Sequence, residues 1–76
     1  MIPLSTVKPG QFARVETIFG EPALVQRLYE FGLLEGEEVE MVALAPLGDP
    51  VEIRIGNTRL SLRVREADCV TVSILR

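Results

Sequence analysis

The sequence predicts a mostly β fold, a small barrel of five to six short strands with one helix in the first long connection. Apolar and polar residues alternate in short runs, as they do in strands with one buried face. Gly and Pro divide the chain into short pieces, and one piece alone has clear helical periodicity. With 76 residues the chain is too short for two stacked sheets, so one closed sheet is expected, forming a single domain over residues 1–76.

The first strand is predicted from Gln11 to Ile18, because the Pro9-Gly10 turn precedes it and Gly20 follows it. Side chains alternate between the two faces of a strand. The inward face of this strand is therefore expected to carry every second residue: Ala13, Val15 and Thr17.

The helix is predicted from Pro22 to Phe31. Proline suits the first helical position, because the N–H group that it lacks would have no partner there. Gly32 is expected to end the helix, since glycine adopts the positive φ of a C-terminal cap without a steric penalty. Apolar residues at helical spacing predict the buried stripe: Leu24, Leu28 and Phe31.

Four strands are predicted after the helix: Glu37–Ala45, Val51–Ile55, Thr58–Val64 and Cys69–Leu75. Prolines in the loop before Val51 prevent pairing there, and a short turn is expected at residues 65–68. The inward residues of the first and last of these strands are predicted to be Val39, Met41, Ala43, Val70, Val72 and Ile74. Among small barrels, an SH3-like barrel fits this order of elements best.

The Gly56-Asn57 pair predicts a two-residue hairpin turn and so fixes the register of the strands beside it. Ile53 then faces Leu60 and Val51 faces Leu62 on the buried side. Arg54 faces Arg59 outside, which is unfavourable unless both arginines lean towards nearby carboxylates.

Composition excludes several classes of function. Eight basic and eleven acidic residues give a net charge of −3, which disfavours binding to nucleic acid or to anionic membranes. The chain has no histidine, so the usual general base and the commonest metal ligand are missing. The residues therefore predict no catalytic site, no metal site and no cofactor.

Cysteine usage and hydropathy indicate a cytosolic protein. The single cysteine, Cys69, cannot form an internal disulfide, which favours a reducing compartment, and it is expected to be a small half-buried residue. No apolar run approaches the ~20 residues of a membrane span. The first ten residues also lack the pattern of a signal peptide.

Charge is segregated along the chain. Residues 30–40 carry five acids and no base, whereas residues 54–65 carry four arginines and no acid. Mutual compensation across neighbouring strands is the simpler interpretation. The alternative is a bipolar surface that orients the domain on a partner.

Three segments resemble the ferrous iron transport protein A (FeoA) family. Residues 27–36, Arg-Leu-Tyr-Glu-Phe-Gly-Leu-Leu-Glu-Gly, resemble its Arg-Leu-x-x-x-Gly-hydrophobic-x-x-Gly signature. Residues 45–51, Ala-Pro-Leu-Gly-Asp-Pro-Val, are similar to its Ala-Pro-x-Gly-Asp-Pro loop. Residues 60–67 hold Leu-Ser-Leu-Arg and then Glu-Ala, similar to its closing segment. Cys69 departs from the family pattern, which has an aliphatic or small residue there.

The resemblance implies an SH3-like accessory protein of ferrous iron uptake that is not an enzyme. It implies that the protein binds the membrane permease FeoB through the permease's cytosolic GTP-binding region. The expected location is the cytoplasm, peripheral to the inner face of the membrane through that partner. Transition metal ion binding is associated with the family, but the donor residues of this chain argue against direct coordination.

Two alternative functions remain open. The same domain is found fused to metal-dependent transcriptional repressors, so a trans-acting interaction domain for such a repressor is the first alternative. A small nucleic-acid-binding barrel is the second. The net charge and the absence of interleaved arginines and aromatic residues disfavour it.

The partner-binding residues are expected at one end of the barrel. Leu33 and Leu34 follow the helix cap, and Leu47 lies at a loop tip between two prolines. An apolar residue in such a loop either plugs the barrel or contacts a partner. The three leucines are predicted to form one apolar patch, with Arg27 and Asp49 as its polar edge.

Overall fold

Six strands form one antiparallel sheet in the computed structural model, which describes residues 1–76. In chain order they are β1 (Ile2–Pro3), β2 (Phe12–Ile18), β3 (Glu38–Leu44), β4 (Val51–Ile55), β5 (Thr58–Leu62) and β6 (Val70–Ile74). Within the sheet the order is β1-β6-β2-β3-β4-β5. Helix α1 (Pro22–Glu30) connects β2 to β3, so the predicted mostly β fold with one helix in the first long connection is confirmed.

Hydrogen bonding does not close the sheet, contrary to the expected closed barrel. Strands β1 and β5 are its two edges, and β1 is only two residues long. The 3₁₀ turn Leu4–Thr6 after β1 packs against a short helix after β5, α2 (Val64–Ala67). The hydroxyl of Ser5 also donates to the carboxylate of Asp68 beside α2. Contacts outside the strands therefore join the two ends of the sheet.

A bulge in β2 changes which of its residues face inward. Strand β6 pairs Val15 with Val72 and then Thr17 with Thr71, which leaves Glu16 as the extra residue. An extra residue reverses the alternation of faces beyond it. Ile18 is therefore buried and Thr17 is exposed, so the predicted inward position of Thr17 is wrong.

Helix α1 ends at Glu30, and the turn that follows places Leu33 in the core instead of Phe31. Gly32 has φ +93°. The backbone N–H groups of Gly32 and Leu33 donate to the carbonyls of Tyr29 (2.9 Å) and Leu28 (3.0 Å), which is the bond pair of a Schellman motif. This turn buries Leu33 completely and leaves Phe31 43% exposed. The predicted burial of Phe31 is therefore wrong.

The hairpin of β4 and β5 has the predicted register. Its pairs are Val51–Leu62, Ile53–Leu60, Arg54–Arg59 and Ile55–Thr58. Strand β5 ends at Leu62, two residues earlier than expected, because Arg63 begins the cap of α2. The expected turn at residues 65–68 is thus part of a short helix.

The outward arginines of the hairpin lean towards acidic side chains, as expected. Arg54 forms an ion pair with Glu40 of β3, and Arg59 Nε lies 3.4 Å from the carboxylate of Glu52 in β4. The Arg54–Glu40 pair joins the basic segment to the acidic one, as the compensation interpretation expects. The partner of Arg59, Glu52, lies outside the acidic segment.

Two other residues predicted to face inward lie closer to solvent. Ala43 follows a bulge between β3 and β4 and is half-buried. Ile74 is exposed because it is the last residue of β6, at the end of the sheet.

The core itself consists of 15 buried hydrophobic residues, and no polar side chain is buried with them. Neither α1 nor α2 has the length and apolar character needed to cross a lipid bilayer.

Candidate functional site

The polar residues of the three motif segments, residues 27–36, 45–51 and 60–67, meet at α2. The Arg27 guanidinium from α1 donates to the carboxylate of Glu66 in α2. Asp49, from the loop between β3 and β4, accepts a hydrogen bond from the backbone N–H of Val64. Segments far apart in the sequence are therefore held together at this short helix.

Two carboxylates satisfy backbone groups at the start of α2. The first N–H groups of a helix have no partner within the helix. Asp49 Oδ1 lies 3.1 Å from the N of Val64, and Glu66 Oε1 lies 2.8 Å from the N of Arg63. Asp49 thus holds its loop against α2, and a nearby negative charge is favourable at this helix end.

Arg27 and Asp49, predicted as a polar edge, both make contacts within the chain. The Glu66 side chain that receives Arg27 is only 12% exposed. The guanidinium of Arg27 also lies 6.0 Å from the ring centre of Phe31, within cation–π range. Both predicted residues keep part of their surface in contact with solvent.

The three predicted leucines do not form one patch. Leu33 is 0% exposed and belongs to the core, because the turn after α1 directs it inward, so its predicted place on the surface is wrong. Leu34 is 43% exposed and Leu47 is 96% exposed.

The loop between β3 and β4 is braced from within. The N–H of Ala45 donates to the carbonyl of Pro50 (3.0 Å), and the N–H of Gly48 donates to the carbonyl of Ala45 (2.7 Å). Gly48 has φ +87°, a conformation that favours glycine. Together with the contact from Asp49 to α2, these bonds present Leu47 in a fixed position.

The turn that carries Leu34 is anchored by Tyr29. The hydroxyl of Tyr29 donates to Glu35 Oε2 at 2.9 Å. That hydrogen bond, helped by desolvation and by the negative charge of Glu35, raises the pKa of Tyr29 above its ordinary value. A tyrosine hydroxyl is protonated at physiological pH even at its ordinary pKa, so Tyr29 can donate to Glu35 and hold this turn.

A cleft of about 630 Å³ is lined by residues of α1 and α2 together with Cys69. Its charged residues Arg27 and Glu66 pair with each other. Cys69 is half-buried, as expected, and its thiol donates to the carbonyl of Arg65 at 3.6 Å. A carbonyl cannot accept the thiol proton as a general base would, so these groups do not form an acid–base pair for catalysis.

The Cys, Asp and Glu side chains of the chain are not clustered as metal ligands are. No group of three or more Cys, Asp or Glu side chains is placed to hold an ion. Several of the acids instead pair with arginines. Iron and zinc sites in proteins rely largely on Cys and His ligands, whereas this chain has one cysteine and no histidine.

The protein is expected to bind no stoichiometric Fe²⁺ or Zn²⁺ at neutral pH, because no ligand set is assembled. Calorimetric titration of the purified protein with each ion under anaerobic conditions would measure this directly. The matched control is Cys69→Ser, which removes the only soft ligand. A site of micromolar affinity or better, lost in a Cys69 or carboxylate variant, would contradict the expectation.

Comparisons with known proteins cover nearly the whole chain. The family model of the FeoA domain matches residues 2–74. A curated relative, the Fe(2+) transport protein A/Fe(2+) transporter FeoB fusion protein of Porphyromonas gingivalis, is 32% identical over 72 residues. That match covers 95% of this chain and 8% of the fusion protein, so the chain spans only a small part of that relative.

Two solved structures have the same fold. Iron(II) transport protein A from Clostridium thermocellum superposes with a TM-score of 0.93 at 40% identity, over 97% of this chain and 46% of that one. FeoA of Stenotrophomonas maltophilia, complexed with zinc and described as a prokaryotic SH3 domain protein, superposes with a TM-score of 0.83 at 38% identity. That match covers 96% of this chain and 91% of that one. The predicted SH3-like fold is therefore confirmed.

Proposed function

This chain belongs to the FeoA family, which is linked to ferrous iron transport, and on that premise we propose that it is a non-enzymatic accessory protein that binds FeoB. The contact is made with the cytosolic GTP-binding region of the permease. The fused relative carries this proposal, because it joins a segment 32% identical to this chain to FeoB within one polypeptide. Fusion keeps two domains at a high effective concentration, which favours a working contact between them.

The loop between β3 and β4 supplies the main contact through Leu47. Its side chain is almost fully exposed, and the loop is braced by its own hydrogen bonds and by Asp49. An apolar residue on a rigid loop loses little conformational entropy on binding. Leu34 adds a second apolar contact from the turn after α1, and Arg27 lies at the polar edge.

Binding to this region of FeoB places the protein in the cytoplasm, peripheral to the inner face of the membrane.

Leu47→Ser is expected to weaken binding to FeoB without unfolding the protein. Burying a leucine contributes about 1.5–3 kcal/mol, so the dissociation constant should rise roughly ten- to hundredfold. A surface substitution should change stability by no more than about 0.5 kcal/mol. The measurement is calorimetric titration against the purified cytosolic region of FeoB, without nucleotide, with GDP and with a non-hydrolysable GTP analogue.

Ile74→Ser is the matched control, because Ile74 is also exposed but lies outside both turns. It should bind as the wild type does. A folded Leu47→Ser protein with unchanged affinity would place the contact elsewhere. Absence of binding by the wild type in every nucleotide state would overturn the proposed function, and binding to a metal-dependent repressor instead would favour the alternative.

A further inference from the structure

We propose that the free edge of β5 accepts an extended, acidic segment of a partner protein as an additional strand. The inference goes beyond the proposed function, since it concerns a second surface and a partner defined by its chemistry. Its failure is separable from that of the Leu47 contact, because each is tested by its own variant and its own ligand.

The backbone of β5 has unused hydrogen-bonding groups along its outer side. Strand β5 pairs only with β4, and no other backbone hydrogen bond involves residues 58–62. In a two-residue hairpin the closing pair, here Ile55 and Thr58, is hydrogen bonded, and bonded pairs then alternate with unbonded ones. The N–H and C=O groups of Arg59 and Ser61 therefore point away from β4.

This edge lacks most of the features that protect edge strands. Such strands are usually short, bulged, charged, interrupted by proline or covered by another element. Of these features β5 has the charge, at Arg59. Strand β5 has five residues, no proline and a regular register with β4. Thr58, Arg59 and Ser61 are exposed. The other edge of the sheet, β1, offers only two residues.

Charge selects the kind of strand that fits. Arg59, Arg63 and Arg65 lie within seven residues of one another with no acid among them. Arg59 and Arg63 have acidic neighbours at 3.4 Å and 3.9 Å, but exposed ion pairs of this kind are weak and exchange readily. Arg65 has no acid within ion-pair distance. Arg59 lies within β5 and Arg63 directly follows the strand, so an incoming strand with several carboxylates would meet two cations. Arg65 instead lines the cleft between α1 and α2.

The same charges disfavour a second copy of this chain. A second β5 strand offers no carboxylate to Arg59, because residues 58–62 contain no acid, and it adds another arginine to the same edge. Arg59 thus favours an acidic partner over a second copy. Main-chain hydrogen bonds would supply affinity, and the carboxylates would supply specificity, as in other strand-addition complexes.

Amide hydrogen exchange of the wild-type protein tests the geometry directly. The probe is the peptide acetyl-Thr-Glu-Val-Glu-Val-Glu-Thr-amide, and the control peptide has lysine in place of each glutamate. The acidic peptide should slow exchange of the Arg59 and Ser61 amides, whereas the Thr58 and Leu60 amides, already bonded to β4, should change little. Equal effects of the two peptides, or no binding of the acidic one at millimolar concentration, would overturn the proposal.

Ser61→Pro removes one outward N–H group without removing a bond to β4, because proline is compatible with that position of an edge strand. Its affinity for the acidic peptide should fall at least about tenfold, whereas Ser61→Ala, which keeps the N–H group, should bind as the wild type does. An unchanged affinity of Ser61→Pro would overturn the proposal. A wild-type dimer that Ser61→Pro dissociates, seen by sedimentation, would make a second copy the occupant instead. If Ser61→Pro does not fold, the exchange experiment on the wild type decides alone.

Discussion

Leu28→Ala is expected to lower the free energy of unfolding by about 2–5 kcal/mol, the usual cost of truncating a fully buried leucine. Leu28 is 0% exposed and lies on the core side of α1. Its carbonyl also receives the N–H of Leu33 in the turn that ends the helix. Small domains typically have about 5–15 kcal/mol of stability in total, so this substitution removes a large fraction of it.

Urea denaturation followed by circular dichroism measures the effect of Leu28→Ala. The midpoint should shift to lower urea with an unchanged slope, because the area exposed on unfolding stays nearly the same. Gln26→Ala, on the exposed side of the same helix, is the control and should stay within about 0.5 kcal/mol of the wild type. An unchanged midpoint for Leu28→Ala would mean that α1 does not pack through this residue.

The hairpin of β4 and β5 could be predicted because its determinants are local. The Gly56-Asn57 turn has two residues, which leaves one register that buries Val51 and Ile53. A register shifted by one residue would turn that face to solvent. The turn and the side-chain pattern thus specify the same pairing, and the structure confirms it.

Where the prediction fails, the deciding contacts are made with distant parts of the chain. The bulge at Glu16 exists only in the pairing of β2 with β6, and nothing in the alternation of β2 marks it. Leu33 is buried because the turn at Gly32 changes the direction of the chain, so the periodicity of the helix does not extend to it. Strand β1 pairs with residues about seventy positions away, beyond the reach of local patterns.

The polar part of the site was predictable only in part. An aspartate in a Gly-Asp-Pro turn is expected to accept from a nearby backbone N–H, but Asp49 accepts from the N–H of Val64, 15 residues away. The pairing of Arg27 with Glu66 spans 39 residues and leaves no local pattern. The three-residue spacing of Arg63 and Glu66 was one usable sign, but arginine has no acceptor and so forms only half of a capping box.

Glu66→Ala is expected to destabilise the protein by about 1.5–3 kcal/mol, the range for a hydrogen bond to a charged group. Glu66 accepts from the backbone N–H of Arg63 and from the guanidinium of Arg27, and its side chain is largely shielded from solvent. Its removal leaves one N–H group at the start of α2 and one arginine without their partner. The melting temperature and the urea midpoint should both fall.

Glu66→Gln separates the two contributions, because its side-chain oxygen still accepts from the Arg63 N–H but carries no charge for Arg27. It should lose less stability than Glu66→Ala, and a double-mutant cycle with Arg27→Ala gives the coupling energy of the ion pair. Equal losses of stability in Glu66→Ala and Glu66→Gln would attribute the whole effect to the ion pair with Arg27. No loss of stability in either variant would mean that α2 is held by Asp49 and core packing alone. Asp49 binds the same turn of α2, so Glu66→Ala should also loosen the loop that presents Leu47. The affinity of the Glu66→Ala protein for FeoB should therefore fall, although Glu66 itself does not contact the partner.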